Sequence, residues 1–216
     1  MMASLTIRTV PTIFHRSQQS AADHPKLIKY LRKTYDQCGD HEDFLETFIN
    51  CLKHALVHGE RESSVNYCLD FAAKFVASYE LNNEDPEESC HPFYMGLFKF
   101  LLSHHNVKSQ AVRFRVAQFI NRILDELSES ASINADLFDQ IYDAMLERIQ
   151  DRIASIRVQA VIALQRLQDP SNKECPVIKV TIGQLNIGSA MLLNVVSRHW
   201  FFTLNEIPIQ KFDGQY

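Results

Sequence analysis

Two stretches of this sequence repeat one another 44 positions apart. The segment AVRFRVAQFINRIL begins at residue 111, and SIRVQAVIALQRLQ begins at residue 155. Aligned at that offset, five positions agree in character: Val112 with Ile156, Arg113 with Arg157, Val116 with Ala160, Ile120 with Leu164, and Ile123 with Leu167. The same offset aligns Leu97, Phe98, Leu101 and Leu102 with Ile141, Tyr142, Met145 and Leu146. Both pairs of segments have apolar residues at helical spacing, and both align at the same offset. This pattern indicates a repeating unit of two helices.

The repeat extends towards the N-terminus in a looser form. Residues 42–58 and 62–80 predict another helix pair, offset by about 47 positions, and residues 4–17 and 25–37 predict two more helices. Helix pairs that repeat every 40–47 residues or so are typical of HEAT and armadillo arrays, in which stacked pairs bury a continuous core. We therefore expect an all-α fold, an α-solenoid of HEAT-like repeats. The alternative is an irregular helical bundle with a chance internal match.

The helix ends and the chain organisation follow from local signals. Pro92 suits a first helical position, and Asp136 and Ser155 are expected to cap helices. We expect an N-terminal helical or irregular segment over 1–24, the repeat array over 25–178, and a divergent tail over 179–216 that is not HEAT-like. Three of the six glycines lie in that tail, at 183, 188 and 214, whereas the array is poor in turn formers.

Composition limits the classes of function. The five cysteines form no CxxC motif and are odd in number, which favours a reducing compartment over a disulfide framework. No secretory signal and no membrane-spanning run are evident, so a membrane partner is not expected. The net charge of -4 gives no global argument for nucleic acid, so any such argument must come from local charge.

No motif for catalysis is present, since GxSxG, P-loop, GxGxxG and HExxH patterns are all missing. We expect no enzymatic activity, no cofactor and no small-molecule substrate. Cys51, His54 and His58 are spaced to share one helical face and to reach one metal ion, but no fourth ligand accompanies them. Surface or groove-lining side chains are the favoured interpretation of these three residues.

The basic residues fall into two expected groups. Arg113 and Arg157 occupy the same repeat position, where an arginine often braces a neighbouring repeat through an aspartate, and Asp151 is available for that role. Val107 stands at the place equivalent to Asp151 in the preceding unit, so such a ladder is incomplete. The second group could line a concave face and meet DNA phosphates, or could form solvated helix faces. Its members are Lys53, Arg61, Lys74, Arg115 and Arg122.

Two long strings carry a resemblance to a known family. QAVRFRVAQFINRILDEL, followed by LFDQIYDAMLERIQDRIASIRVQAVIALQRLQDPSNKECPV, resembles the N-terminal region of the condensin G subunits (CAP-G), and FAAKFVAS at 71–78 fits the same family. These are non-SMC HEAT-repeat subunits of condensin I. The resemblance covers residues 20–178 and is most specific over 111–177.

The resemblance implies a binding role without catalysis. It implies a clamp that holds a kleisin subunit (CAP-H), binds double-stranded DNA in a basic groove, and joins the SMC ATPases indirectly in mitotic chromosome condensation. The expected location is the nucleus and cytoplasm, with mitotic chromosomes as the site of action.

The sequence departs from this family in two places. VHGERESS at 57–64 corresponds to a basic stretch of the family but holds a single basic residue besides histidine, Arg61. The match also ends after Val177, although the family runs to several times this length. We therefore expect a truncated form of a regulatory non-SMC condensin subunit. The alternative is a HEAT-repeat scaffold that binds only proteins and not DNA.

Overall fold

The computed structural model describes residues 3–80, 91–128 and 133–167, and all regular structure in those ranges is helical. A short 3-10 turn, Ala21–Asp23, precedes the second helix. The eight α-helices of the described residues are α1 (Ala3–Ser17), α2 (His24–Asp36), α3 (His41–Leu56), α4 (Ser63–Glu80), α5 (Pro92–His104), α6 (Gln110–Glu126), α7 (Ala135–Ile149) and α8 (Ala154–Arg166).

The helices form two layers of stacked pairs. The first helices of the pairs, α1, α3, α5 and α7, contact one another in chain order, and the second helices, α2, α4, α6 and α8, do the same. Each pair therefore lies against the next, which buries the apolar face that a lone pair would expose. The predicted α-solenoid of HEAT-like repeats is confirmed.

Burial follows the 44-residue repeat. Val116 and Ala160, which align at this offset, are both fully buried, and so are Ile120 and Leu164. In α5 and α7 the aligned pairs Leu97 with Ile141 and Leu101 with Met145 are also fully buried. The repeated positions are thus the stacking positions, because burial of apolar side chains at matching places joins each unit to the next.

Aromatic contacts bring α1 into the array. The Phe14 ring meets Phe48 of α3 edge-on, with ring centroids 5.0 Å apart, and meets Phe71 of α4 at 5.7 Å. Because α1 also packs on α2, the expected division between residues 24 and 25 falls inside the first helix pair. The predicted tail, 179–216, lies outside the described residues.

Helix capping differs from the sequence prediction at two positions. Asn134, not Asp136, is the N-cap of α7, and its side-chain oxygen accepts hydrogen bonds from the backbone N–H groups of residues 136 and 137. Ser155 lies inside α8, whose N-cap position is Ile153. The Ile153 N–H is bonded instead by the carboxylate of Asp151 at 3.0 Å. The first prediction was wrong because Asn134, two residues earlier, accepts the N–H bonds at the start of α7, and the second was wrong because α8 begins before Ser155 and has no side-chain cap.

This capping pattern gives a stability prediction. Asn134→Ala should lower the free energy of unfolding by about 1 kcal/mol, because two helical N–H groups lose their acceptor. Ser155→Ala should change it by less than about 0.5 kcal/mol, since that side chain caps nothing. Urea denaturation of the two variants measures the difference. Equal losses in both would contradict the capping assignment.

Candidate nucleic-acid interface

Arg115, one of the five DNA-contact candidates, lies in the interior. It is on α6, and its exposed fraction is 0%. The guanidinium donates to the carbonyl oxygen of His58 at 3.1 Å and to the side-chain oxygens of Asn66 and Gln118, both at 2.7 Å. It also donates to the carbonyl of Gly59. A side chain enclosed in this way cannot contact a phosphate, so Arg115 is corrected from a surface cation to a structural one.

The contacts of Arg115 fix the turn between α3 and α4. Two of its acceptors are backbone carbonyls just after the C-terminus of α3, where the helix dipole favours a positive charge. Burial lowers the pKa of Arg115, and so does the charge of Arg122, whereas Glu60 and Glu62 oppose them. The guanidinium therefore holds a turn of one helix pair against the second helix of the next pair.

Arg122 and Lys74 also meet partners within the protein. Arg122 forms an ion pair with Asp70 of α4 at 3.0 Å and donates to the carbonyl of Asn66 at 2.7 Å. Lys74 lies 3.8 Å from the carboxylate of Glu126 and is 44% exposed. Arg122 therefore braces α6 on α4, whereas Lys74 forms a weak surface pair of little energetic value.

A second buried cluster joins the turn between α5 and α6 to the turn between α7 and α8. Nε of Arg113 donates to Oδ2 of Asp151 at 2.7 Å, and Nη2 donates to Oδ1 at 3.2 Å. Arg148 donates to the same carboxylate at 3.0 Å and to Asn106 at 3.1 Å. One carboxylate thus bridges two buried guanidinium groups, and the bidentate geometry is the strong form of this interaction.

The arginine ladder is completed by the backbone. Nη1 of Arg157 donates to the carbonyl of Asp151 at 2.9 Å, six residues earlier. Nη1 of Arg113 donates to the carbonyl of Val107 at 3.0 Å, also six residues earlier. Because the acceptor is a main-chain oxygen, the valine at 107 does not interrupt the repeat. Both arginines therefore hold the turn that precedes their own helix.

The charges around Asp151 set its protonation. Burial alone would raise the pKa of this carboxyl group. The hydrogen bonds from Arg113 and from the Ile153 N–H, with the charges of Arg113 and Arg148, outweigh that effect and lower the pKa below its usual value. Asp151 is therefore ionised at neutral pH, as the two guanidinium groups require.

An exposed basic row remains on the turns that these interior residues hold. It consists of Arg61 between α3 and α4, Lys108 between α5 and α6, and Arg152 between α7 and α8. These three positions are equivalent in the repeat, since they follow one another at the same offsets, 47 and 44, that align the helices. No ion-pair partner of any of them lies among the described residues. The exposed cations of the basic row thus recur at the same position of each repeat.

A polar notch of about 550 Å³ separates two members of the basic row. It is lined by Lys108 and Arg152 and, at its buried side, by Arg113, Arg148 and Asp151, with residues 106 and 107 completing the wall. The lining holds four cationic side chains and one carboxylate, and that carboxylate already bridges two guanidinium groups. The notch is therefore suited to an anionic group.

The remaining candidates of the sequence fall outside this arrangement. Lys53 is exposed on α3, donates to Asn50 at 2.9 Å and lies 5.8 Å from the Phe100 ring. Cys51 is half-buried, and burial raises the pKa of its thiol to about 11, which disfavours the thiolate that a metal would need. Among the described residues, no group of three or more His, Cys, Asp or Glu side chains could hold a metal ion.

Sequence reasoning missed two structural arginines, Arg148 and Arg166. Arg166 donates to the carbonyl of Leu124 at 3.2 Å and to that of Leu127 at 2.9 Å, so it bonds the end of the preceding unit. The signal was available for Arg166, because the 44-residue offset aligns it with Arg122. A signal was also available for Arg148, because Asp151, already expected to brace an arginine, follows it by three residues, a spacing that brings side chains together. None of the helices in the described ranges is long and apolar enough to cross a membrane.

The fold and these contacts define a helical-repeat scaffold. Comparison with known proteins shows to which complex its relatives belong. No family model matches the chain. It is 48% identical over 168 residues to Condensin complex subunit 3 of Xenopus laevis, covering 76% of this chain and 16% of that protein. The human Condensin complex subunit 3 is 42% identical over 180 residues, which cover 82% of this chain and 18% of the relative.

A solved structure agrees with these relatives. The crystal structure of the S. pombe condensin Cnd3-Cnd2 subcomplex superposes with a TM-score of 0.68 at 26% identity, covering 87% of this chain and 23% of the matched chain. The chain is therefore a homologue of the non-SMC condensin subunits named Condensin complex subunit 3, and it spans less than a fifth of the two curated relatives above. Condensin subunits of this HEAT-repeat class are regulatory scaffolds and not enzymes.

The buried position of Arg115 gives a second prediction. Arg115→Met should lower the free energy of unfolding by about 3 kcal/mol, because several interior acceptors lose their donor. Arg61→Met, in the same turn region but exposed, should cost less than about 0.5 kcal/mol. Chemical denaturation compares them. A cost as small for Arg115→Met as for Arg61→Met would show that the interior bonds carry no stability.

The Asp151 bridge gives a third prediction, which depends on pH. Asp151→Asn should cost about 3–5 kcal/mol at pH 7, because it leaves two buried guanidinium groups without a counter-charge. The folded pKa of Asp151 lies below the unfolded value of about 3.9, so this stabilisation is present above that value and is lost as the pH falls through the folded pKa.

The difference in unfolding free energy between wild type and Asp151→Asn should therefore stay constant from pH 7 to about 5 and shrink below about pH 4. Denaturation curves across this range measure it. The control is Asp139→Asn on the exposed side of α7, which should differ little from wild type at neutral pH. A difference that grows as the pH falls would contradict the assignment.

Proposed function

We propose that this chain is a DNA-binding segment of a condensin non-SMC subunit of the CAP-G type, in which the basic row contacts the phosphate backbone of double-stranded DNA. The observation that carries the proposal is the repetition of an exposed cation, without an ion-pair partner in the described ranges, on the turns of three successive helix pairs, at Arg61, Lys108 and Arg152. Backbone recognition needs cationic side chains at regular spacing and reads no base sequence.

The interior contacts supply the regular spacing. Packed helices lie about 8–10 Å apart, so stacked pairs set their turns at intervals of that order. Arg115 holds the first turn of the row against α6, and the Arg113–Asp151 ion pair holds the second turn against the third. The polar notch between Lys108 and Arg152 then offers a place for a phosphate oxygen between two exposed cations.

The row is uneven in charge. Glu60 and Glu62 flank Arg61, and both are exposed, whereas Lys108 has no charged neighbour within two residues in the sequence. The positive potential should therefore be weaker at Arg61 than around the notch. DNA contact is proposed to depend more on Lys108 and Arg152 than on Arg61.

The relatives suggest the protein partner. The matched solved structure is a Cnd3-Cnd2 subcomplex, and its second chain is a kleisin subunit. We extend this to a kleisin partner, CAP-H, for the present chain, with the SMC ATPases joined indirectly through it. In this proposal the protein acts in mitotic chromosome condensation as a component of condensin I, and is present in the nucleus, in the cytoplasm and on mitotic chromosomes.

The test is a fluorescence-anisotropy titration of a labelled DNA duplex with the whole chain, alone and with its kleisin partner, at several salt concentrations. Binding should weaken with salt at a slope of roughly −0.9 for each phosphate neutralised. Lys108→Glu combined with Arg152→Glu should lower the affinity at least about tenfold and reduce the slope by about two units.

Lys29→Glu combined with Lys99→Glu, at exposed positions of α2 and α5, is the matched control, because it makes the same charge change away from the row and should alter the affinity less than about twofold. An equal loss in this control would assign binding to overall charge and not to the row. If the folded chain binds its kleisin partner and no DNA even at low salt, the protein is a scaffold for proteins only.

A further inference from the structure

A groove between α1 and α2 lies apart from the basic row, at the first helix pair. Its volume is about 390 Å³, and the residues that line it belong to these two helices and to Gln37, the C-cap of α2. Ile13, 5% exposed, and Leu27, 1% exposed, provide aliphatic surface at its base. Stacked pairs elsewhere in the array cover such aliphatic surface with the next pair, but this groove is open.

The rim of the groove is cationic. Arg16 of α1 and Lys33 of α2 are exposed and line it, and neither has an ion-pair partner in the described part of the chain. Lys26 shares the helical stripe of Tyr30 and Lys33, since positions separated by four and seven residues fall on one face. α1 contains no Asp or Glu at all, so one wall has no carboxylate to neutralise this charge.

An exposed aromatic ring accompanies these charges. Tyr30 lines the groove between Lys26 and Lys33 and is 50% exposed, although large apolar side chains are mostly buried in this protein. A tyrosine offers an apolar face and a polar tip, which is why this residue type is enriched at protein interfaces. The groove thus combines an aliphatic base, an aromatic wall and a cationic rim.

We propose that the groove between α1 and α2 is a docking site for an acidic peptide segment of a partner protein, with one aliphatic or aromatic anchor residue. The anchor side chain packs against Ile13, Leu27 and the ring of Tyr30. The carboxylates on either side of the anchor meet Arg16 and Lys33. Charge complementarity selects an acidic partner over a basic one, because like charges in such a contact cost affinity.

The aliphatic base argues for a peptide over a nucleic acid. Bases gain their binding energy from stacking on aromatic rings, and Tyr30 is the sole aromatic residue among those that line the groove. Isoleucine and leucine side chains instead suit the apolar anchor of a peptide laid between two helices, a common mode of peptide recognition. This inference goes beyond the proposed DNA contact and uses none of the residues of the basic row.

The experiment titrates the whole chain into a fluorescein-labelled synthetic peptide of about a dozen residues, rich in Asp and Glu, with one central leucine as the anchor. The comparison peptide has serine in place of that leucine. Wild type should bind the leucine peptide more tightly than the serine peptide. Arg16→Glu combined with Lys33→Glu should weaken that binding at least about fivefold, since both contacts become repulsive.

Three further variants make the result specific. Tyr30→Ala should weaken binding of the leucine peptide and leave the serine peptide unchanged. Lys99→Glu, a single charge reversal on α5, should leave both unchanged, as should Lys108→Glu, which instead lowers DNA affinity. All of these positions are exposed, and circular dichroism checks that each variant is folded.

Three results would overturn the proposal. The first is equal binding of the two peptides, which would reduce the contact to diffuse charge. The second is binding of single-stranded DNA that Arg16→Glu and Lys33→Glu abolish, without any binding of the peptide. The third is concentration-dependent self-association of the chain that Tyr30→Ala abolishes, which would make this face an interface between two copies.

Discussion

Hydrogen bonds from buried guanidinium groups to the turns of neighbouring helix pairs hold this array in register. Apolar stacking brings the pairs together, but it is not directional and does not by itself set the position of a turn. Arg115 ties the first turn of the basic row to α6, and Arg113 with Arg148 ties the next two turns to one carboxylate, Asp151. These bonds are directional and are formed where water is excluded, so they fix the turns firmly.

Basic residues therefore have two different roles in this protein: some stabilise the interior, and others remain exposed on the turns. Arginines inside the array donate their hydrogen bonds to carbonyl and carboxylate oxygens of the protein. Cations on the turns, such as Lys108 and Arg152, have no ion-pair partner in the part of the chain that the structure describes and are available to an anion. The interior arginines position the turns that carry the exposed cations. Repeats of similar length therefore place these cations at regular intervals, as a contact with the DNA backbone requires.

The fold could be predicted from sequence in considerable detail because its main determinant is local and repeated. Apolar positions such as Ile120 and Leu164 recur at one offset, and that periodicity reports both helix type and stacking. Helix caps were predicted less well, since α7 begins one residue after Asn134, before the predicted cap Asp136, and α8 begins before the predicted cap Ser155. The first residue of a helix is decided by backbone geometry, which a residue pattern does not encode.

The candidate site shows the limit of such reasoning more clearly. By sequence alone, Arg115 and Arg61 belong to one group of candidate surface cations, although Arg115 is enclosed on α6 and Arg61 is exposed in the turn between α3 and α4. Burial of a charge depends on acceptors far away in sequence, here the carbonyls of the α3–α4 turn. The repeat offset did contain one unused signal, because it aligns Arg61, Lys108 and Arg152 with one another.

The most direct test of this division between interior and exposed arginines is arginine modification by phenylglyoxal, mapped by mass spectrometry with and without duplex DNA. The account predicts that Arg61 and Arg152 react in the free chain and that DNA protects them, with the stronger protection at Arg152. Arg113 and Arg115 should stay unreactive in both samples while the chain is folded. Ready modification of Arg115 in the folded free chain, with protection by DNA, would contradict the account.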